Sequence, residues 1–389
     1  MMIKDLFQGI DGISEEGVNE WLVARHYILE ERKRLDVAKD LGPKSGRYVH
    51  VEIILDGGSD RLAAAIVRQV ALITHYPNFK EGDESTRTVI SVIHNNEDSL
   101  QMKELLKKYL GNLTDYCQFV VDGKNESRYY ESFKNFMPLD VAIEIRKAGA
   151  GCSLCPDKAE EPIKIRMSEV KNIVYHCNED ADSKRICQAQ LINMAYNLGK
   201  DIDNLPAYDN ANVPRYETAL HYFFSHTTSE KALEKWTSAN VKANDRLSCL
   251  FCADCIKERL DGLLDTPGKT IDKYLREERK KVDKAISDNI DALALCEHSR
   301  WNVERLILGY RPYSFQEHLE IEDLFGDEQA AYRKRLKNDG VHMDLCSYKN
   351  LRRIDPGNIK YDYFLMLAIP YILAAGSKKS PRKQKLIYL

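Results

Sequence analysis

The sequence predicts an α/β protein in which a Rossmann-like, mostly parallel sheet is followed by a mainly helical region and a C-terminal α-rich part. Three observations carry this. Short apolar runs alternate with helical stretches from Tyr48 to about Ile145, the first run is followed by a glycine turn that opens a helix, and from Ile186 onward the apolar spacing is helical. Breaks rich in Gly, Pro and Asn divide the chain into an N-terminal amphipathic helix (1–46), a Rossmann-like domain (47–200), a helical linker region (201–268), an α-rich domain (269–376) and a basic tail (377–389).

The first helix is expected over Glu15 to Lys39, where Val18, Trp21, Leu22, Tyr27, Ile28 and Leu29 alternate with charge. It either packs across the main domain or mediates self-association into a homo-oligomer. A strand follows at Val49 to Leu55, then the turn Asp56-Gly57-Gly58-Ser59-Asp60, then a helix from Arg61 to Tyr76. In nucleotide-binding βαβ units such a turn and helix N-terminus hold a phosphate. Further strands are expected at Thr88 to Ile93, Cys117 to Val121, Val141 to Ile145 and Ile173 to His176, with a helix at Ser99 to Leu110. The sheet should be covered on both faces.

Gly57, Gly58, Ser59 and Asn95 are the candidate contacts for NAD or another nucleotide cofactor. The fingerprint is broken, however: Gly57 and Gly58 are adjacent, Ala63 replaces the third glycine, and the second strand ends in His94-Asn95-Asn96 without an acid for a ribose. Asp56 and Asp60 add negative charge where pyrophosphate would lie. NAD is therefore expected to bind weakly or not at all. The stretch from Tyr48 to Ile145 resembles the degenerate Rossmann-like domain, akin to that of TrkA potassium-transport regulators, that precedes RyR domains in some bacterial proteins. The resemblance implies descent from a nucleotide binder.

Helices are expected at Ile186 to Leu198, Tyr216 to Lys235 and Asn244 to Leu264. The last holds Cys249, Cys252 and Cys255, which read as small core residues rather than a metal cluster because no Gly or Pro interrupts them. Cys152 and Cys155, in the loop GAGCSLCP, are better placed to converge on zinc. A second pair is missing, since Cys177 and Cys187 are ten apart with His176 beside the first, and no metal is assigned. Disulfides are not expected in a reducing compartment.

Leu293 to Tyr313 forms the helix around which the C-terminal part is organised, closed by Gly309 and Pro312. His298, Trp301 and Arg305 share one face, Glu297, Arg300 and Glu304 flank it, and Tyr310, Arg311 and Tyr313 follow the cap. An anionic, planar ligand finds charge and π-surface there. The pattern Glu297-His298-x-x-Trp301, Glu304-Arg305, Gly309-Tyr310-Arg311-Pro312, with Val341 to Leu345, Tyr348, Leu351, Tyr361-Asp362 and the apolar run Leu365 to Leu373, resembles the repeat of ryanodine-receptor channels, the RyR domain. That domain is also found in bacterial and phage proteins, and the resemblance implies a sensor of nucleotide signals in defence against phage. The residues expected to contact ligand are His298, Trp301, Glu304, Arg305, Tyr310, Arg311, Tyr313, His342 and Tyr348.

A formal charge of −3 argues against a general nucleic-acid binder. No run approaches the roughly 20 apolar residues of a membrane helix, and no signal-peptide core opens the sequence, so the cytoplasm is the expected compartment. No Walker loop, His-Glu-x-x-His or Gly-x-Ser-x-Gly is present. A ligand-sensing module is the leading reading, beside an enzyme acting on NAD or ADP-ribose at the Rossmann-like domain and an oligomeric scaffold without a small ligand.

Overall fold

Six strands form the central sheet: β1 (Val49–Ile54), β2 (Thr88–His94), β3 (Gln118–Val121), β4 (Lys124–Asn125), β5 (Val141–Lys147) and β6 (Ile163–Arg166). The computed structural model describes residues 3–7, 13–31, 35, 41–95, 99–134, 137–156, 161–175, 179–201, 213–226, 229–237, 241–264 and 271–376. Strand order is β4-β3-β5-β2-β1-β6, and each neighbouring pair is parallel except β3–β4. The α/β class follows as expected. β2 is buried at every residue, as a central parallel strand should be. The antiparallel exception is made by Asp122 and Gly123, both at positive φ (46° and 77°), the backbone of a two-residue type I′ hairpin.

The strand expected at Ile173 to His176 is not formed over 173–175, and His176 lies outside the described residues. Ile163–Arg166 takes the sixth place instead, paired with β1 at the edge. An edge strand needs little apolar surface and is protected by charge, here Lys164 and Arg166, so its hydrophobic signal is faint.

The helix Asp60–Ile73 after β1 is buried from Leu62 to Ile73, which requires neighbours on all sides. The sheet lies on one side of it, and the helices Glu15–His26 and Ala243–Leu263 contact it elsewhere. Arg68 in its middle is buried; its Nε donates to the Tyr109 carbonyl at 3.0 Å and its guanidinium carbon lies 4.3 Å from the Trp21 ring centroid. Burial lowers the Arg68 pKa to about 9. Trp21 Nε1 donates to Gln69 (3.2 Å), and Arg25 grips Asp254 with two bonds of 2.8 and 2.7 Å. The N-terminal helix thus packs across the body of the protein. Its α-helical part ends at His26, short of the expected Lys39, and passes into a π-helical turn, Tyr27–Glu31, that buries Tyr27, Ile28 and Leu29 in succession. Residues 32–34 and 36–40 lie outside the described residues.

The helical half comprises Glu179–Asp201, Val213–His226, Ser229–Thr237, Ala243–Leu263, Ile271–Asp288, Ile290–Ile307 and Ile359–Gly376, with shorter helices between the last two. The stretch read as one helix from Tyr216 to Lys235 is two. Cys249, Cys252 and Cys255 are buried on their helix, and Cys255 Sγ donates to the Leu72 carbonyl at 3.1 Å. One hydrophobic cluster reaches from Ile3 to Leu373, so sheet and helices share a core. No helix among the described residues is long and apolar enough to cross a membrane.

Two contacts fasten the C-terminal part to the sheet. Asn112, between β2 and β3, donates its backbone N–H to the Leu306 carbonyl (2.9 Å) and its side-chain amide to the carbonyls of Gly309 (2.8 Å) and Tyr310 (2.9 Å). Next to it Gly111, at φ 51°, lies so close that a Cβ would stand 2.8 Å from the Leu306 and Ile307 carbonyl oxygens. Glu81 accepts the backbone N–H groups of Tyr348 and Lys349, capping the helix Tyr348–Ile354 together with Ser347.

Candidate functional site

The helix Ile290–Ile307 ends at Gly309, whose φ of 85° allows the N–H of Gly309 to reach the Leu306 carbonyl (3.1 Å) and that of Tyr310 to reach Arg305 (2.9 Å). This Schellman closure turns the chain into β7 (Arg311–Pro312), which pairs in parallel with β8 (Val341–His342). The pairing returns His342 to Trp301: the two rings are 4.9 Å apart and 80° inclined. The His298 ring lies 6.0 Å from the indole, inclined 23° to it. The Arg305 guanidinium is 5.6 Å from the Trp301 centroid and 5.5 Å from that of Tyr310, so both rings contact the cation.

His298, Trp301, Arg305 and His342 form one wall of a cavity of about 250 Å³. The opposite wall comes from the helices Glu179–Asp201 and Ala243–Leu263, through Asn193, Tyr196, Asn197, Asp245 and Ser248. Asn197 Nδ2 donates to Asn193 Oδ1 (3.2 Å), while Asn193 Nδ2, on a residue only 4% exposed, has no hydrogen-bond partner among the described residues. A buried amide N–H of this kind lacks only an acceptor. Sequence reasoning passed over these residues because the opposite wall is shared between two helices. The available signal was a pair of amides at i and i+4 among buried Leu191, Ile192, Met194 and Ala195.

Proton positions follow from the hydrogen bonds. His298 Nε2 donates to the Cys346 carbonyl at 2.8 Å, and burial lowers the ring's pKa to about 4. Its Nδ1 faces Asp362 at 3.7 Å, a carboxyl whose pKa burial raises well above the ordinary range. His342 Nδ1 accepts the Asp344 N–H (3.2 Å), which leaves the ring proton on Nε2; burial, Lys337 and Arg305 keep this imidazole neutral. Asp344, raised to about 6 by burial, accepts from Asn358 at 2.7 Å. The imidazoles of the cavity are therefore uncharged near neutrality, while Arg305 and Lys337 supply positive charge, offset by Asp245 3.7 Å from Arg305.

Of the residues expected to contact ligand, His298, Trp301, Arg305 and His342 line this cavity. The others lie elsewhere. Glu304 is buried in an ion network: Arg300 donates to it and to Glu297 (2.7 Å), Arg259 pairs with Glu297 at 2.7 Å, and Ser248 donates to Glu304 at 2.8 Å. Despite burial, Arg300 and Arg259 hold the Glu297 carboxyl down at about 2. Tyr310 stacks on Arg305 without lining the cavity. Arg311 is engaged twice by Glu317 at 2.8 Å. Tyr313 belongs to a small separate core with Ile321, Leu336, Val341 and Met343. Tyr348 packs behind His298, ring centroids 5.3 Å apart.

The glycine turn after β1 is filled by its own chain. Asp56 accepts the Ser168 N–H (2.8 Å) and an Arg166 N–H (3.0 Å), and Ser59 Oγ accepts the Leu62 N–H at the helix start (3.1 Å). Gly57 and Gly58 face Ser168 and Lys171, with a Cβ on Gly57 3.3 Å from the Ser168 backbone. Asn95 is exposed at the end of β2. Cys152 and Cys155 are paired as a disulfide with Cα atoms 5.5 Å apart, contrary to the expectation of none; a two-residue loop brings their sulfurs within reach. No family model, curated protein or solved structure matches this chain.

Proposed function

We propose that this protein is a ligand sensor and that the Trp301 cavity binds a nucleotide or a nucleotide-derived signal. The observation that carries the reading is the Arg305 guanidinium held by Trp301 and Tyr310 beside a cavity with an unpartnered amide N–H. Trp301 offers a base its π-face, a contact contributing roughly 1–3 kcal/mol. His342 Nε2–H and Asn193 Nδ2–H offer donors to the base edge, and Arg305 and Lys337 suit a phosphate. The volume, about 250 Å³, lies near the small end of ligand sites, roughly 300–1,000 Å³, and favours one nucleotide unit over a dinucleotide. The resemblance to RyR domains adds defence against phage as the setting.

A thermal-shift screen of mononucleotides, cyclic nucleotides, dinucleotides and ADP-ribose tests this. A ligand that binds only the folded state, at about 100 times its dissociation constant, should add roughly 2.7 kcal/mol of stability. The expected result is a shift with a mononucleotide that Arg305→Gln removes while leaving the unliganded melting temperature near wild type. A flat screen, or an undiminished shift in the variant, would sink the proposal. Product analysis of the same mixtures distinguishes binding from turnover.

A further inference from the structure

Away from the Trp301 cavity, the middle of the sheet carries a buried polar layer. Registers Glu52↔Ser91 and Ser91↔Glu144 set these three residues side by side on β1, β2 and β5, with His50 and Arg146 two positions along their strands. All five side chains are buried. The loop after β5 is fastened onto them: Arg146 donates to the Ala150 carbonyl and to Glu52 (2.6 Å), and the Ser153 N–H donates to Glu144 (3.0 Å). These bonds hold half-buried Cys152 and Cys155 against His50. Cys155 Sγ is 3.5 Å from His50 Nδ1, Cys152 Sγ is 3.8 Å from Ser91 Oγ, and the donor atoms of His50, Cys152 and Cys155 all lie within 4.8 Å of one another.

We infer that His50, Cys152 and Cys155, with both thiols reduced, form a zinc-binding site. Two thiolates and an imidazole are the donor set that zinc favours. Zinc–sulfur bonds of about 2.3 Å and zinc–nitrogen bonds of about 2.0–2.1 Å at a tetrahedral angle place sulfur and nitrogen roughly 3.5 Å apart. That is the separation between Cys155 and His50. His50 Nε2 lies 2.9 Å from Ser91 Oγ; with its N–H donated to that hydroxyl, the Nδ1 lone pair is left for the metal. Three protein ligands leave a fourth position for water or an exchangeable group.

Disulfide and metal site are alternative states of the same sulfurs. A dithiol reductant supplies two electrons and two protons to open the bond and itself becomes a disulfide; Zn²⁺ then displaces one proton from each thiol. His50 comes from a strand 102 residues before Cys152, a distance over which no sequence spacing announces the set.

The test uses the full chain, reduced with dithiothreitol, stripped with a chelator, desalted without oxygen and titrated with Co²⁺. One cobalt per chain should bind with thiolate charge-transfer and tetrahedral ligand-field absorption, and Zn²⁺ should displace it. His50→Ala and Cys152→Ser should each weaken Zn²⁺ binding at least 100-fold, with Cys187→Ser at wild-type affinity. Absence of the cobalt spectrum in the reduced protein, wild-type affinity in a folded His50→Ala or Cys152→Ser variant, or equal binding by the oxidised protein would overturn the inference. Should circular dichroism show His50→Ala unfolded, Cys152→Ser and Cys155→Ser on the half-buried loop decide, and wild-type affinity in both overturns it.

Discussion

The glycine turn after β1 and the cavity beside Trp301 both read in the sequence as places for an anion, yet they fold to opposite states. At the turn the chain fills the space with its own groups: Asp56 accepts the Ser168 N–H, Ser59 Oγ accepts the Leu62 N–H, and Gly57 and Gly58 lie against Ser168 and Lys171. At the cavity, among the described residues, the Asn193 amide N–H has no acceptor and the ion pairs of Arg305 are long, 3.7 Å to Asp245 and 3.6 Å to Glu304. A motif therefore marks where an anion fits in principle. Unsatisfied donors mark where one still has something to gain.

The comparison is broken most severely at the network behind the cavity wall. Arg300→Met leaves Glu297 and Glu304 buried without their shared partner, and should cost about 3–5 kcal/mol in urea unfolding. A loss under about 1 kcal/mol would mean that the wall does not depend on the network. Protonation comes next. His298, held at about 4 when folded and near 6.5 when unfolded, contributes stability fully present above about pH 6.5 and drained as pH falls towards 4. The contribution is on the order of 3 kcal/mol. Asp344, raised to about 6, runs the other way: its contribution is complete below its unfolded pKa and lost as pH rises through about 6. His298→Asn should therefore flatten the acid side of the stability curve, and Asp344→Asn should steepen it; unchanged curves would place both groups in solvent.

Trp301→Ala sharpens the ligand side. Trp21, fully buried, should cost about 3–5 kcal/mol on truncation. Half-exposed Trp301 should cost visibly less in stability while losing about 1–3 kcal/mol of nucleotide affinity by calorimetry. Equal destabilisation by the two truncations with affinity intact would make Trp301 a core residue. The smallest effect belongs to the turn: Asp56→Ala frees the Ser168 N–H, should cost about 1 kcal/mol, and should still show no micromolar NAD binding. NAD binding in that variant alone would reveal a nucleotide site blocked by a single carboxylate.

The alternation of strands and helices up to β5 was legible because the central parallel strands are short runs rich in Val and Ile and the intervening helix after the turn is mostly apolar. β4 and β6 were not, since two residues of a hairpin and one charged edge strand carry little hydrophobic pattern. At the candidate site, His298, Trp301 and Arg305 were legible from helical spacing, and His342 from the resemblance of the Val341 to Leu345 stretch to the RyR domain. Glu304 lies one flank away from them, and only Arg300 and Ser248 decide that this flank faces inward. Asn193 and the opposite wall depend on how distant helices pack, which local periodicity does not record.

The cap that Asn112 places on the Trp301 helix also sets a schedule for synthesis. Asn112 leaves the ribosome 197 residues before Gly309, a delay of roughly 10–40 s at about 5–20 residues per second. The sheet is complete once β6 has emerged at Arg166; from then until residue 307 Gly111 has no carbonyls to lie against, and until residue 263 the helix Asp60–Ile73 lacks its partner at Ala243–Leu263. A ribosome stalled before residue 310 should consequently release not a working half but a client for chaperones.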